Sequence, residues 1–468
     1  MELAYLVITV FSAAFTGRIF QTPYIDGDLF WQKHLGEFVV THHALPTALG
    51  NETFTAPGAP WTAQEWLLGV ISYAAISHGV FWLLAIAAGL ALALTLLLAS
   101  WRAHRFGGSA RAVALASVFL AIAVESSFGI RAQVFAWPLF AALLLVLDQS
   151  GPIVLVALAI VAAWANVHGS VMLAIPIVWI DAIVASIRNG IRAADTRWRL
   201  LLALLVPFAT LASPLGVRLP QYAVMLINSP IRASIKEWQP ISFHGSYFFW
   251  EGGAPMLLVA ILCLRTLLRE RPRDVAWAAM LTFMAIGAVR NVALMGIVVA
   301  PLAARAIDVL MGRFGWWHTP ELSKGHKRLA VAGAILLAGL TFYAVIRIPP
   351  RADAFVPPVT TFDRLGAMPE QRRVFCYDFS VCSLALDHRN LRVFMDGRAD
   401  PYPPDVWYDF NVIRRTEKGW SQELDLYRID TVVAKNGDRL DRELTKRRDW
   451  SRWPQLDPCC RVYVRPPV

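Results

Sequence analysis

TPYIDGDLFWQKHLGEFVVTHHALPTALGNETFTAPGAPWTAQEW, residues 22–66, is the stretch whose reading decides the fold. It follows an apolar run at 3–19 and ends where apolar sequence resumes. Asp26 and Asp28 stand near its start, separated by one glycine, and Glu65 stands near its end. Between them Leu29, Trp31, Leu35, Phe38 and Val39 recur at helical spacing, with Gln32, Lys33 and Glu37 interleaved. That pattern predicts an amphipathic helix lying on a membrane surface. Carboxylates at the edge of a bilayer are costly unless they have a function. The stretch therefore reads as half of an active site at the outer face, with the rest of the chain as its holder.

Composition supports a membrane setting. Of 468 residues, 56% are hydrophobic and only 17% charged, against about 25% charged in a soluble domain. Mean hydropathy is +0.48. Many apolar runs approach the length that crosses a bilayer, so the fold class is a polytopic α-helical membrane protein. Strands of a β-barrel would alternate polar and apolar residues, and these runs do not. The net charge of +10 does not point to nucleic acid. The arginines lie in short clusters between apolar runs, where they orient helices, and no compact basic and aromatic face is present.

Apolar runs at 3–19, 80–100, 112–127, 133–147, 153–166, 170–187, 200–215, 254–268, 275–288, 293–311 and 329–346 read as spans. Basic clusters sit at 102–111, 188–199, 269–273 and 313–328. All four fall on one side only if 66–76 is a half-helix that does not cross. The loop-charge rule thus favours about eleven transmembrane helices plus a half-helix. The N-terminus is then cytoplasmic and the C-terminus extracytoplasmic. Twelve spans with both ends inside is the counting alternative. The N-terminus lacks a basic n-region and reads as an uncleaved first span.

Beyond residue 347 the composition changes. Pro349-Pro350 and Pro357-Pro358 read as a linker. Runs at 373–377, 391–395, 431–434 and 461–464 read as strands, and 424–428 and 438–448 as helices. The chain divides into a transmembrane domain, 1–348, with its first outer loop at 21–65, and a small extracytoplasmic α/β domain, 349–468. The cysteines show no pair of CxxC motifs, so no structural zinc site is indicated. Cys376, Cys382, Cys459 and Cys460 lie in the polar part, where an oxidising compartment favours a disulfide of open connectivity.

On this topology the outer span ends collect acids, bases and amides, while the cytoplasmic ends offer mainly arginines. An aspartate there can take a proton from an attacking hydroxyl. Asp26, Asp28 and Glu65 together can instead hold a divalent cation against a phosphate, and Asp26 and Asp28 can equally cap the surface helix. Arg131, Arg218 and Arg290 each lie beside an outer span end and suit a phosphate leaving group. Singly, each can snorkel to lipid headgroups. Gln133, Asn166 and Asn291 add hydrogen-bonding groups at the same ends. His168 can bind substrate, protonate a leaving group or hold its own turn. Glu237 with Trp238 offers an aromatic platform beside a carboxylate, which suits a sugar ring, or a belt residue at the interface. Asp396-Gly397-Arg398-Ala399-Asp400 follows a strand and reads first as a turn with an internal salt bridge.

The motifs, in their order, resemble the C-type (GT-C) membrane glycosyltransferases, and most closely a bacterial multispan branch of that class. They are Asp26-Gly27-Asp28-Leu29-Phe30-Trp31, Phe54-Thr55-Ala56-Pro57-Gly58 and Glu65-Trp66-Leu67 in the first loop. Arg131-Ala132-Gln133, Trp164-Ala165-Asn166-Val167-His168-Gly169, Pro214-Leu215-Gly216, Glu237-Trp238, Arg290-Asn291 and Asp396-Gly397-Arg398-Ala399-Asp400 follow. Gln32 and Gln64 stand where that pattern has histidines, and Ser213 where it has asparagine.

The resemblance implies a lipid-linked sugar donor, of the polyprenyl-phosphate kind, and a glycan or protein acceptor. The implied reaction is an inverting transfer at the extracytoplasmic face of a bacterial inner membrane, with Asp26 or Asp28 as base. A transporter or flippase for a lipid-linked saccharide would need polar residues at the bilayer midplane, where this sequence is mostly apolar. An assembly factor that keeps the fold without the chemistry is the other alternative.

Overall fold

The computed structural model describes residues 2–21, 27–127, 129–314, 324–347 and 357–466. Two compact units emerge. One comprises Met1–Pro23, Trp82–Pro220 and Ile235–Pro350, the other Tyr24–Phe81, Gln221–Ser234 and Arg351–Val468.

The first unit is helical. Among the described residues, Trp82–Arg105, Gly169–Asn189 and Val289–Arg313 are each long and apolar enough to cross a bilayer. Phe248–Leu262 and Leu264–Glu270 form a further candidate, bent by 81°, so the expected straight span at 254–268 is broken at Cys263. Shorter apolar helices include Ala4–Phe20, Ala110–Val124, Ala132–Leu147, Val154–Val167 and Val331–Arg347. The Val292–Arg313 helix is the most enclosed. Its small residues admit close neighbours, with Leu120 and Ala123 packed directly on Gly296, the usual device where hydrophobicity alone cannot drive helices together. The span expected at 200–215 is displaced towards the N-terminus and runs Ala194–Ala209. An ion pair one turn apart, Asp195 with Arg199 at 2.7 Å, supports the earlier start.

One set of helix ends is tied by a buried ionic network. Arg102 donates to Asp148 at 2.8 Å and also to Asp274. Arg273 bridges Asp148 and Asp181, the latter at 2.9 Å. Arg199 joins Asp181 to Asp195. The expectation that these ends carry mainly arginines is therefore incomplete. Guanidinium groups held by several carboxylates fix the register of five helices, and removing one partner would strand the others.

The second unit pairs the Asp28–His42 and Trp66–Ser77 helices. A side chain at Gly36 would overlap the Gly69 carbonyl, so glycine permits the approach. The Trp66–Ser77 helix has 12 residues, about 18 Å of rise, short of the ~30 Å hydrocarbon core. Five strands form a mixed sheet of order β2-β1-β3-β5-β4. They are β1 Arg372–Cys376, β2 Leu391–Val393, β3 Thr431–Lys435, β4 Ser451–Arg452 and β5 Cys460–Val464. β1 lies parallel to β2 and β3, and β5 runs antiparallel to β3 and β4. Cys376, closing β1, forms a disulfide with Cys382, while Cys459 and Cys460 stay free. Pro349 and Pro350 of the expected linker lie outside the described residues.

The first loop is stitched to this sheet. Thr53 bridges Val393 in parallel, Val393 N–H donates to the Glu52 carbonyl at 2.8 Å, and Phe54 N–H donates back to Val393 at 3.2 Å. Arg398, 5% exposed, holds the fully buried Asp396 through two hydrogen bonds of 2.9 and 2.6 Å. It reaches Glu52 at 2.8 Å and covers the Trp61 ring at 5.0 Å, while the Tyr402 hydroxyl donates to Asp396 at 2.7 Å. Arg398→Ala strands a buried carboxylate and should destabilise this unit by about 3–5 kcal/mol. Denaturant titration of the purified protein reads the loss, and the double change Asp396→Asn with Arg398→Met should recover part of it. Unchanged stability in Arg398→Ala would mean the pair is not buried.

Candidate functional site

Two groups of the expected residues cluster, one in each unit. In the second unit Asp28 opens the Asp28–His42 helix, where a carboxylate suits the positive end of the dipole. It does not cap the helix: Gly27 is the N-cap and makes no side-chain cap bond. Asp28 accepts from Trp31 Nε1 at 3.1 Å. Asp26 lies outside the described residues. Glu65 accepts from Gln32 Nε2 at 2.7 Å and from Gln64 Nε2 at 2.9 Å. The two glutamines that depart from the family pattern thus converge on one carboxylate.

Amide protons on both Glu65 oxygens and an indole proton on Asp28 suit carboxylate acceptors better than metal ligands. Among the described residues no three His, Cys, Asp or Glu side chains come together on one ion-sized site. No step below is routed through a cation.

The Asp396–Asp400 turn packs on the same elements. A side chain at Gly397 would meet Trp31 Cδ1, the ring that holds Asp28, at 2.8 Å. Ala399 has φ +58°, a region non-glycine residues seldom enter. Sequence reading treated Asp400 only as the end of the turn. Burial, reinforced by the Glu65 charge, raises its carboxyl to about 8. The unfolded chain loses this proton near ~4 and the folded chain near 8. Stability must therefore fall as pH rises through that window. Asp400→Asn should flatten the melting temperature between pH 5 and 8, and an unchanged slope would refute the assignment.

In the first unit the helix ends opposite the ionic network gather Arg131, Gln133, His168, Glu237, Trp238 and Arg290. Arg131 is the N-cap of Ala132–Leu147, whose other end carries Asp148. Arg290 follows Pro272–Gly287, whose first turn carries Arg273. The segment bearing Glu237 is strung along that helix end. Ile241 N–H donates to the Ile286 carbonyl and Val289 N–H to the Gln239 carbonyl, both at 3.1 Å. Glu237 pairs with Arg131. Burial opposes ionisation of Glu237, but Arg131 and its hydrogen bond outweigh it and hold the carboxyl below its ordinary range.

Arg290 stacks 4.5 Å over the Trp238 ring and donates to Gln133 Oε1 at 3.4 Å. Among the described residues no carboxylate forms an ion pair with Arg290. Gln133, 9% exposed, leaves its Nε2 without a hydrogen-bond partner. Such an orphaned buried donor costs about 1–3 kcal/mol unless a ligand or water satisfies it. His168 sits in the turn between Val154–Val167 and Gly169–Leu173, where its Nδ1 accepts from Ser170 N–H at 3.0 Å. Burial, then the Arg290 charge, pushes its pKa down to about 3. A ring that accepts at Nδ1 is neutral with the proton on Nε2, a hydrogen-bond donor rather than a proton source.

The remaining expected residues serve other ends. Asn166 Nδ2 donates to the Ala162 and Ala212 carbonyls at 2.9 and 2.7 Å. Asn291 Nδ2 donates to Met284 at 3.0 Å. Both tie backbone at helix ends. Arg218 is exposed at the start of Arg218–Asn228, and no ion pair joins it to the Arg290 cluster among the described residues.

No family model matches the chain, and no curated protein matches it in sequence. Solved structures do. The oligosaccharyltransferase AglB of Archaeoglobus fulgidus, in complex with an inhibitory peptide and a dolichol-phosphate, matches 92% of this chain and 69% of its own at TM-score 0.58 and 13% identity. The oligosaccharyltransferase of the same organism tethered to an acceptor peptide with an NVT sequon matches at TM-score 0.54 and 14% identity, with the same coverage. ArnT from Cupriavidus metallidurans, bound to undecaprenyl phosphate, aligns over 98% of this chain and 96% of its own at 12% identity and TM-score 0.49. The helical bundle, the helix-bearing first loop and the C-terminal sheet follow a known plan: the chain has the fold of the C-type membrane glycosyltransferases.

Proposed function

We propose that this protein transfers a sugar from a polyprenyl-phosphate donor to an extracytoplasmic acceptor, with inversion. The observation that carries the reading is the Arg290 cluster. A guanidinium without a carboxylate partner, stacked on Trp238, stands beside the orphaned amide of Gln133 and the neutral, proton-bearing ring of His168. These are donors waiting for an anion with several acceptor oxygens, which a phosphate supplies. The neighbour bound to dolichol-phosphate supports that choice.

In the reaction the acceptor oxygen attacks the anomeric carbon from the face opposite the phosphate. The C–O bond to phosphate breaks, its electron pair leaves with polyprenyl phosphate, and the acceptor proton passes to Asp26 or Asp28. Charge grows on the leaving phosphate, where Arg290 and the Gln133 amide act. Glu237 keeps Arg131 oriented. The Cys376–Cys382 disulfide supports an oxidising, extracytoplasmic setting for the C-terminal domain, and the bacterial inner membrane follows from the resemblance.

The test is incubation of the purified protein with polyprenyl-phosphate sugars and a hydroxyl-bearing acceptor. Free polyprenyl phosphate and a product of opposite anomeric configuration are expected. A product that keeps the donor configuration would refute the single-displacement mechanism.

A further inference from the structure

The ionic network at the other set of helix ends leaves two arginines over. Every aspartate in it is bonded to Arg102, Arg199 or Arg273, and Glu270 is bonded to Arg305 at 2.9 Å. Arg188 and Arg271 have no carboxylate partner among the described residues. Arg271 is half-buried and held 4.0 Å over the Phe106 ring, which also faces Arg102 at 4.8 Å. Its guanidinium is thus fixed in place with its charge unmatched. Burial lowers its pKa, and the nearby Arg273 and Arg102 oppose the help it gets from Asp274 and Asp148.

Both arginines line a polar cavity of about 180 Å³, together with Asn189. The helices that end there present apolar flanks outward: Ile187, 78% exposed, and Ile183 on one, Leu264 and Leu268 on another. A charged socket at the end of lipid-facing helices matches an amphiphile, with its anion in the socket and its chains along the flanks.

We propose that Arg188 and Arg271 bind the phosphodiester headgroup of an anionic phospholipid at this end of the bundle. The site is separate from the donor cluster. It sits at the opposite ends of Ala132–Leu147 and Pro272–Gly287, and it stands or falls independently of the transfer reaction. A phosphodiester carries one negative charge and two free oxygens that accept a forked guanidinium. The lipid then stabilises the bundle at the end where the helices are tied together.

The experiment compares melting temperatures in phosphatidylcholine nanodiscs with and without phosphatidylglycerol. Wild-type protein should gain roughly 3–5 °C from phosphatidylglycerol. Arg188→Ala and Arg271→Ala should each lose most of that gain, and Arg290→Ala should keep it. Arg188 is exposed and unpaired, so its variant folds even if Arg271→Ala does not. An equal gain in wild type and Arg188→Ala overturns the proposal. So does an equal gain from about 10 mM inorganic phosphate in phosphatidylcholine alone, which would make the socket a site for a free anion rather than a lipid.

Discussion

Replacing Arg290 with alanine is expected to lower donor turnover by about 10²–10³-fold. The size follows from where the charge grows. The bound donor is a phosphodiester with one negative charge, and the departing polyprenyl phosphate gains a second. At ~4 Å and an effective dielectric near 20, one added charge against one guanidinium is worth about 4 kcal/mol before solvent competes. The loss should appear chiefly in kcat, because the ground-state phosphate is held by the other donors as well. Arg290→Lys keeps the charge but loses the fork and the stack on Trp238, so it should recover only part of the rate. Gln133→Leu should weaken donor binding with a smaller effect on kcat, since its amide meets the phosphate in both states. A kcat for Arg290→Ala within threefold of wild type would remove the guanidinium from the reaction.

Asp28→Asn is expected to reduce turnover about 10²–10⁴-fold while donor binding is unchanged, the pattern for a lost general base. Asparagine keeps the size of the side chain and its acceptor for Trp31 Nε1, so the Asp28–His42 helix should persist. Asp26→Asn is the necessary companion, because the sequence offers both acids. One of the two must show the large effect. Glu65→Gln should be milder. Its carboxylate is already engaged by the Gln32 and Gln64 amides, which positions it and leaves it a poor proton acceptor. Full activity in both aspartate variants would place the base elsewhere.

Much of the architecture was legible because it is local. The strands expected at 373–377, 391–395, 431–434 and 461–464 appear as β1, β2, β3 and β5 within a few residues. The 66–76 segment was expected to be too short to cross, and its helix has 12 residues. What escaped depends on contacts distant in sequence. The aspartates at 148, 181 and 274 look like ordinary loop charges until three helices bring them to Arg102 and Arg273. The Pro404–Arg415 helix was missed although Pro404 at its start and Val406, Trp407, Phe410 and Ile413 on one face were there to read. β4 spans only two residues and carries no periodic signal.

At the site, residue types were readable and pairings were not. Glu237 and Trp238 were noted together, yet they serve different arginines, Arg131 and Arg290. Gln32 and Gln64 were noted as departures, and only the fold shows that both act on Glu65. Arg218 looked equivalent to the other two outer arginines, but exposure separates it from them.

The most direct test is donor turnover by the purified protein in nanodiscs. A panel of polyprenyl-phosphate sugars is offered with a hydroxyl acceptor, and free polyprenyl phosphate is measured against time. At least one donor should be consumed by wild-type protein and spared by Arg290→Ala. If a donor binds yet none is ever cleaved, or if Arg290→Ala cleaves it at the wild-type rate, the chain is not the transferase described here.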